Sequence, residues 1–259
     1  MITSTTGSKA PRYKKILLSA GAVLFWLALW QAAAMLLGEG ILLVSPLSVF
    51  KKLLELLASE EFYKTVWFSL LRISLGTLSA LLLGALLAVI AYKLPLFETL
   101  LRPLMGAVKA APVASFVVLA LLAVGSKNLS VLISFLMVVP VFYTSLLTGM
   151  KSVDPERFEA ADVFGMLRRD RFRFIYMPYV APHFCSACQV GIGIAWKAGV
   201  SAEVIGIAAG SIGGTLYDAK LNLETETLFA YTFVVIAVSL VLEWLSIRLI
   251  RFAERRLEG

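Results

Sequence analysis

The sequence is poor in the residues on which most catalytic sites depend. Of its 259 residues only 16% are charged, two are cysteines and one is a histidine. Two cysteines cannot build a disulfide framework, and a zinc site would need further ligands. The chain has no G-x-x-x-x-G-K-[ST] motif, since its glycine-rich stretch 206–214 contains no lysine. We therefore expect a chain without catalytic residues, metal or cofactor, which does not hydrolyse ATP itself.

Apolar residues dominate instead. They make up 59% of the chain, and the mean hydropathy is +0.86, whereas soluble domains are about half apolar and a quarter charged. A helix needs about 20 apolar residues to cross a bilayer. The sequence predicts an all-α polytopic membrane protein of one domain with about six transmembrane helices, at roughly 16–37, 67–92, 104–124, 129–149, 183–207 and 228–249.

The two ends are predicted to be polar tails of one transmembrane domain. Met1–Lys15 is polar and basic, and the apolar run that follows contains no small-residue cleavage site before a soluble domain. This favours an uncleaved first helix over a signal peptide. We expect an N-terminal tail over 1–15, a transmembrane domain over 16–250 and a C-terminal tail over 251–259.

A short amphipathic helix is predicted between the first two spans, within Ser45–Lys64. Apolar residues recur there at helical spacing beside charged ones, namely Leu47, Phe50, Leu54 and Leu57 beside Lys51, Lys52 and Glu55. This pattern is typical of a helix that lies along a membrane surface.

The basic residues indicate the orientation. The net charge is +7, but the basic residues lie between apolar runs and form no nucleic-acid-binding face, so no nucleic acid partner is expected. Most of them precede the first span, follow the even-numbered spans or end the chain, including six within 150–178. Because cytoplasmic loops carry excess lysine and arginine, both termini and the segment 150–178 are predicted to be cytoplasmic.

Two spans carry a small residue at every fourth position. The second has Gly76, Ala80, Gly84 and Ala88, and the fifth has Ala187, Gly191, Ala195 and Gly199. Such stripes let helix backbones approach closely in lipid. They predict a tightly packed bundle.

The longest polar interruption is the segment 150–178. Asp154 is a good N-cap, Pro155 fits the first helical turn, and Gly165 is a natural helix stop. We predict one short helix ending near Gly165 and a second, basic helix over Arg168–Tyr176 that ends before Pro178. Without further information, a solvated loop with ordinary positive-inside charge would explain this segment.

Its spacing, however, resembles the loop that marks permease subunits of binding-protein-dependent ABC importers. That loop has Glu-Ala-Ala, then Gly, then Ile-x-Leu-Pro; the chain has Met177 at the Leu position and otherwise matches, at Glu159, Ala160, Ala161, Gly165, Ile175 and Pro178. Within this family the chain looks most like the nitrate/sulfonate/taurine group. Ser45–Val49, Ala111-Pro112 and the run from Ala195-Trp196 to Ser201-Ala202-Glu203 carry that further likeness.

The resemblance implies a type I ABC importer permease fold in the bacterial plasma membrane. It implies that the matching residues of 150–180 form a coupling helix that docks on a separate cytoplasmic ATPase, which binds ATP and Mg. An extracytoplasmic binding protein would deliver the solute, and a second permease copy, preferably identical, would complete the pathway. The arginines of Arg168–Arg173 are expected to bind lipid headgroups or the partner.

Four residues of the fifth span are candidates for the translocation pathway. Lys197 lies near the middle of the span, where it either attracts an anionic substrate or pairs with Glu203 or Glu243. Ser201 shares its helical face. Glu203 and Trp196 are interpreted mainly as interface and packing residues, and His183, Cys185 and Cys188 as part of a membrane helix.

These features predict the import of a small anion such as a sulfonate, taurine or nitrate, and a pyrimidine-type vitamin precursor is the alternative. Two other classes are weighed. A membrane-embedded enzyme should have clustered Asp or His at one membrane face, and an ion-coupled secondary transporter often has inverted repeats. Neither pattern is found in the sequence.

Overall fold

The computed structural model describes residues 12–36 and 43–258, and the side chains of 18, 20–36 and 43–248 within them. The predicted N-terminal tail therefore lies largely outside the described residues. The elements are all helical: α1 (Arg12–Leu36), α2 (Pro46–Leu57), α3 (Glu60–Lys93), α4 (Pro95–Ala110), α5 (Val113–Lys151), α6 (Pro155–Val163), α7 (Arg168–Arg171), a π-helical turn (Phe172–Tyr176), α8 (Met177–Gly206), α9 (Ile212–Leu221) and α10 (Thr225–Glu258).

Three helices of the described chain are long and apolar enough to cross a membrane, namely α3, α5 and the part Thr225–Arg248 of α10. The apolar part of α1 that the structure describes, Ala20–Leu36, is shorter. Helix α8 has 30 residues, about 45 Å at 1.5 Å per residue, and carries Lys197 and Glu203. The prediction of an all-α polytopic membrane protein is confirmed.

The third predicted span, 104–124, is not one continuous helix. Its first residues end α4 and its remainder begins α5, with Ala111 between them in an extended conformation, at φ −74° and ψ 137°. Pro112 has no N–H to donate and disfavours a helical conformation in the residue before it. The expectation of an uninterrupted span was wrong at this point.

Helix α5 reverses direction at Gly125, which has the non-helical angles φ 67° and ψ 171°. Two contacts show the reversal: Lys109 Nζ lies 3.1 Å from Thr144 Oγ1, and Lys151 Nζ lies 2.6 Å from the Glu98 carboxylate. If α5 were straight, the residues of each pair would be tens of ångströms apart. The limb 126–151 therefore runs antiparallel to α4 and the limb 113–124, as two separate spans require.

The bundle core lies where α3 and α8 pack against the second limb of α5. A Cβ added at Gly84 of α3 would lie 2.7 Å from Phe142 Cβ, and one added at Gly199 of α8 would lie 2.6 Å from Ile73 Cγ1. The small-residue stripes of both helices therefore face the packing surfaces, because no larger side chain fits there.

The predicted amphipathic helix is α2. Its N-terminus is capped by Ser45, whose Oγ accepts a hydrogen bond from Ser48 N at 3.2 Å. The helix ends at Leu57, and α3 starts at Glu60 instead of 67, so the end of the predicted Ser45–Lys64 segment belongs to α3. Large apolar side chains of α2 remain exposed, which fits a helix lying on a membrane surface: Leu47, Phe50, Leu54 and Leu57.

At the C-terminus, α10 extends beyond the predicted span 228–249. It begins at Thr225 and continues to Glu258, through residues 251–258 of the predicted tail. That part of the chain, ending in Arg-Phe-Ala-Glu-Arg-Arg-Leu-Glu, is rich in strong helix formers.

Candidate functional site: the coupling segment and the α8 face

Local signals determine the ends of α6. The helix starts at Pro155 and ends at Val163; Asp154 occupies the predicted N-cap position, but its side chain makes no capping hydrogen bond. The chain then turns at Gly165, whose φ is 61°, an angle that glycine adopts without strain. Met166 N donates to Ala161 O at 2.9 Å, closing the turn as in a Schellman motif. The predicted short helix with a glycine stop is confirmed.

The two alanines of α6, Ala160 and Ala161, have different environments. Ala161 is only 3% exposed and packs in a small cluster with Val153 and Ile175. Glu159 and Ala160 are exposed. One face of α6 therefore rests on the bundle while Glu159 and Ala160 project away from it.

Three large apolar side chains beside α6 were missed from the sequence. Val163 is 83% exposed, Phe164 84% and Leu167 71%. Apolar residues exposed together mark interaction surfaces. The available signal was that these residues occur in the most polar segment of the chain, where no core requires them.

Arg171 ties α6 to the helix that follows. Its Nη1 lies 2.6 Å from Asp162 Oδ1, its Nε donates to Met166 O at 3.0 Å, and its Nη2 reaches Ala161 O at 3.5 Å. A guanidinium provides several donors in a planar fork, which suits it to such multiple contacts. We expected this arginine to bind lipid or partner, and its structural contacts were not anticipated.

The basic helix predicted to end before Pro178 continues into α8. The chain passes from α7 through a π-helical turn, in which Met177 N donates to Phe172 O, five residues earlier. Pro178 is the second residue of α8, which follows this turn directly. Burial, and after it the interaction with Tyr92, raises the pKa of Tyr176 in this turn to about 12. Of the other predicted residues here, Ile175 is buried and Pro178 is exposed.

On α8, Lys197 and Ser201 lie together on an exposed face. Ser201 Oγ donates to Lys197 O at 2.8 Å, and Ser186 and Gln189 are exposed on the same side. No carboxylate of the described residues lies within 4.0 Å of the Lys197 ammonium. Polar groups on a membrane helix normally face a cavity or another protein surface.

Trp196, the residue before Lys197, lies on a buried side of α8. It is 1% exposed, and its Nε1 donates to Val235 O at 2.9 Å. The indole therefore joins α8 to α10. Near it, Glu243 of α10 lies against Gly193, where an added Cβ would be 3.0 Å from Glu243 Oε1.

Glu203 lies in a polar cluster that joins α3, α8 and α9. Its side chain is fully buried, and its Oε2 accepts from Ser69 Oγ at 2.7 Å and from Gly213 N at 3.4 Å. Ser69 Oγ in turn accepts from Ile212 N at 2.9 Å. Hydrogen bonds make the burial of such a carboxylate possible. Glu203 therefore has no exposed surface on the face that carries Lys197.

The Cys-x-x-Cys of α8 has no metal-binding surroundings among the described residues. No group of three or more His, Cys, Asp or Glu that could hold a metal ion is found there. His183 packs closely on Gly149, and Cys188 is buried.

These features define a helical membrane protein with a short helix held at one end of the bundle and a polar face on α8. The chain belongs to the family of binding-protein-dependent transport system inner membrane components, whose sequence profile matches residues 80–259. It is thus a non-catalytic, multi-pass inner-membrane permease subunit of an ABC importer. A system of this kind implies an ATPase and a binding protein as partners, so the enzyme and secondary-transporter alternatives are set aside.

Three relatives of this chain are named as permease proteins of transport systems. The chain is 28% identical over 240 residues to the taurine transport system permease protein TauC of Escherichia coli (strain K12), covering 90% of this chain and 87% of that one. It is 27% identical to the putative aliphatic sulfonates transport permease protein SsuC of Bacillus subtilis (strain 168), covering 89% and 83%. It is 25% identical to the nitrate import permease protein NrtB of Synechocystis sp. (strain PCC 6803), covering 98% and 97%.

A solved structure has the same fold. A chain from a bacterial ABC transporter involved in the import of the acidic polysaccharide alginate superposes with a TM-score of 0.61, at 14% identity, covering 92% of this chain and 96% of that one. At this identity the likeness concerns the fold alone. It confirms the predicted ABC importer permease fold.

Proposed function

We propose that this permease imports a small organic or inorganic anion, such as a sulfonate, taurine or nitrate, delivered by an extracytoplasmic binding protein and driven by a separate ATPase. The observation that carries the proposal is the Lys197 face: a lysine in a membrane helix, exposed and without a carboxylate partner among the described residues. An unpaired cation in a pathway attracts anions. The names of the three relatives support the substrate class.

The α8 face also supports a dimer. Lys197, Ser201, Ser186 and Gln189 would be unfavourable against lipid chains, and a second copy of the chain would enclose them in a shared pathway. A homodimer places two Lys197 side chains around it. Trp196 and Glu203 would then hold α8 in position from its buried side.

Coupling to the ATPase is assigned to α6. Glu159 and Ala160 are exposed while Ala161 is buried beside Ile175, so a partner groove can reach the outer face of α6 without disturbing the inner one. Gly165 turns the chain, and Pro178 lies in the first turn of α8. Closure of two ATPases would move α6, and with it α8, between inward-open and outward-open states.

The orientation follows from charge. Both termini and the coupling segment 150–180 are placed in the cytoplasm, with tails over 1–15 and 251–259 and the transmembrane domain over 16–250. The basic residues of α7 and of the C-terminal end of α10 support this placement.

The experiment is reconstitution of the permease with its ATPase and binding protein in proteoliposomes. Taurine, an alkanesulfonate, nitrate and a pyrimidine precursor are compared as substrates, and both uptake and ATP hydrolysis are measured. Lys197→Gln should lower anion uptake about tenfold or more while basal ATP hydrolysis stays, because the loss of one central charge changes binding by about 1.4 kcal/mol or more.

Lys127→Gln, at an exposed position near the chain reversal, is the matched control. Uptake of the neutral pyrimidine in preference to every anion, or unchanged anion uptake by Lys197→Gln, would contradict the substrate class. The coupling assignment fails separately if Glu159→Ala and Gly165→Val leave uptake intact.

A further inference from the structure

An apolar groove of about 320 Å³ opens at the end of the bundle that carries α6. Its walls come from the last turns of α3, the end of α5, the π-helical turn and the start of α8. Residues that line it include Val89, Tyr92, Met150, Phe172 and Tyr176. Among the described residues that line it, only Lys93, at the C-terminal end of α3, is charged.

Lys93 is available to a ligand. It forms no ion pair with a described residue, whereas the nearby basic residue Lys151 is neutralised by Glu98 at 2.6 Å. Arg173 follows the groove residue Phe172 and stacks only on Phe174, at 5.7 Å from the ring centroid. An apolar groove with an unpaired cation at its rim is thus complementary to a molecule with an apolar chain and an anionic head.

We propose that this groove binds an anionic phospholipid of the cytoplasmic leaflet, with part of one acyl chain against Val89, Met150 and Phe172 and the phosphate at Lys93. The proposal uses the orientation proposed above, which brings the groove to the leaflet where anionic lipids attract basic segments. The groove is too small for a whole lipid, so the rest of the molecule stays in the bilayer.

The position of the groove gives the lipid a route to the coupling segment. Phe172 and Tyr176 are the first and last residues of the π-helical turn, and such turns occur frequently at functional sites. Arg171, directly before this turn, holds α6 through Asp162 and two carbonyl oxygens. A bound acyl chain would therefore brace the turn through which movement of α6 reaches α8.

The test is native mass spectrometry of the complete importer, extracted from nanodiscs that contain phosphatidylcholine alone or with phosphatidylglycerol. We expect one phosphatidylglycerol retained per permease chain. Lys93→Gln should weaken its retention about five-fold, the change expected for about 1 kcal/mol per basic residue near the surface. Val89→Trp, which fills the groove, should abolish it.

Two controls separate the groove from general positive charge. Leu82→Trp places the same bulk on an exposed part of α3, 70% exposed and outside the groove, and should retain the lipid. Lys127→Gln, far from the groove, should also retain it.

Equal retention by wild type, Lys93→Gln and Val89→Trp would overturn the proposal, as would equal retention of phosphatidylcholine by wild type. If Val89→Trp fails to assemble, Lys93→Gln decides the result alone, since Lys93 is exposed and its replacement creates no cavity. The readout is lipid mass, so it is independent of whether the proposed anion is transported.

Discussion

The Arg171 guanidinium lies 2.6 Å from the Asp162 carboxylate and donates to the carbonyl oxygen of Met166 at 3.0 Å. One side chain thus holds the end of α6 against the start of the next helix. The carbonyl contacts matter more than the ion pair, because Asp162 is 67% exposed and exposed pairs contribute little.

This arrangement predicts that Arg171→Ala loosens α6 without unfolding the bundle. Uptake should fall several-fold while basal ATP hydrolysis persists, because α6 no longer moves as one body with α8. Limited proteolysis within 150–180 should become faster. Arg168→Ala, which removes an exposed arginine of the same helix, is the control, and equal behaviour of the two variants would refute the assigned role.

The exposed apolar residues beside α6 predict a second result. Phe164→Asp should weaken binding of the ATPase by about tenfold or more. An aromatic side chain that becomes buried when two proteins bind typically contributes a large share of the binding free energy. The measurement is co-purification of the ATPase at increasing detergent wash, with Glu156→Gln as a charge change elsewhere on α6. ATPase binding unchanged by Phe164→Asp would exclude this surface as the docking site.

The buried cluster at Glu203 predicts a loss of stability. Ser69→Ala leaves Glu203 Oε2 without its 2.7 Å donor and Ile212 N without its acceptor, which should cost about 1–3 kcal/mol for each buried group left unsatisfied. The thermal midpoint in detergent should fall by several degrees. Ser79→Ala, on the exposed side of the same helix, removes only a hydrogen bond to the Leu75 carbonyl one turn earlier and should change little. Equal thermal midpoints for Ser69→Ala and Ser79→Ala would contradict the prediction.

Two glycine-to-alanine substitutions should change the stability of the bundle in opposite directions. Gly84→Ala should destabilise the bundle by about 1–3 kcal/mol, as overpacking does, because the new Cβ would meet Phe142. Gly106→Ala on α4 has nothing within 4 Å of the new Cβ and should stabilise its helix by about 0.5–1 kcal/mol. Thermal unfolding of the two variants measures both, and a stabilised Gly84→Ala variant would rule out the close approach.

Several elements could be predicted because their causes are local. Pro155 fits the first turn of α6 and Gly165 the turn after its end, and apolar runs of sufficient length identify membrane helices. The predicted boundaries of the helices were less accurate than the prediction that the helices exist. Pro112 interrupts an apolar run that hydropathy alone treats as continuous, and α3 extends beyond its apolar part because helix formation does not require apolar residues.

The candidate site, too, could be predicted from the sequence only in part. The residues of the α6 segment were identified by their spacing, but the sequence left open whether Lys197 faces a pathway or pairs with Glu203 or Glu243. Glu243 lies on α10, whose rotation relative to α8 the sequence does not give. The fold turns Glu203 towards Ser69, Glu243 towards Gly193, and Lys197 to the open face.

By itself, the sequence determined the class of protein. The length of the apolar runs, the distribution of the basic residues and the spacing of residues in the polar segment are all visible in the sequence, because they depend on composition and local preference. Only the tertiary structure decided which side chains meet. Ser69 and Glu203 are 134 positions apart, and the Lys93 groove combines four chain segments. Helix packing selects such contacts through the rotation of each helix about its axis, which sequence periodicity leaves undetermined.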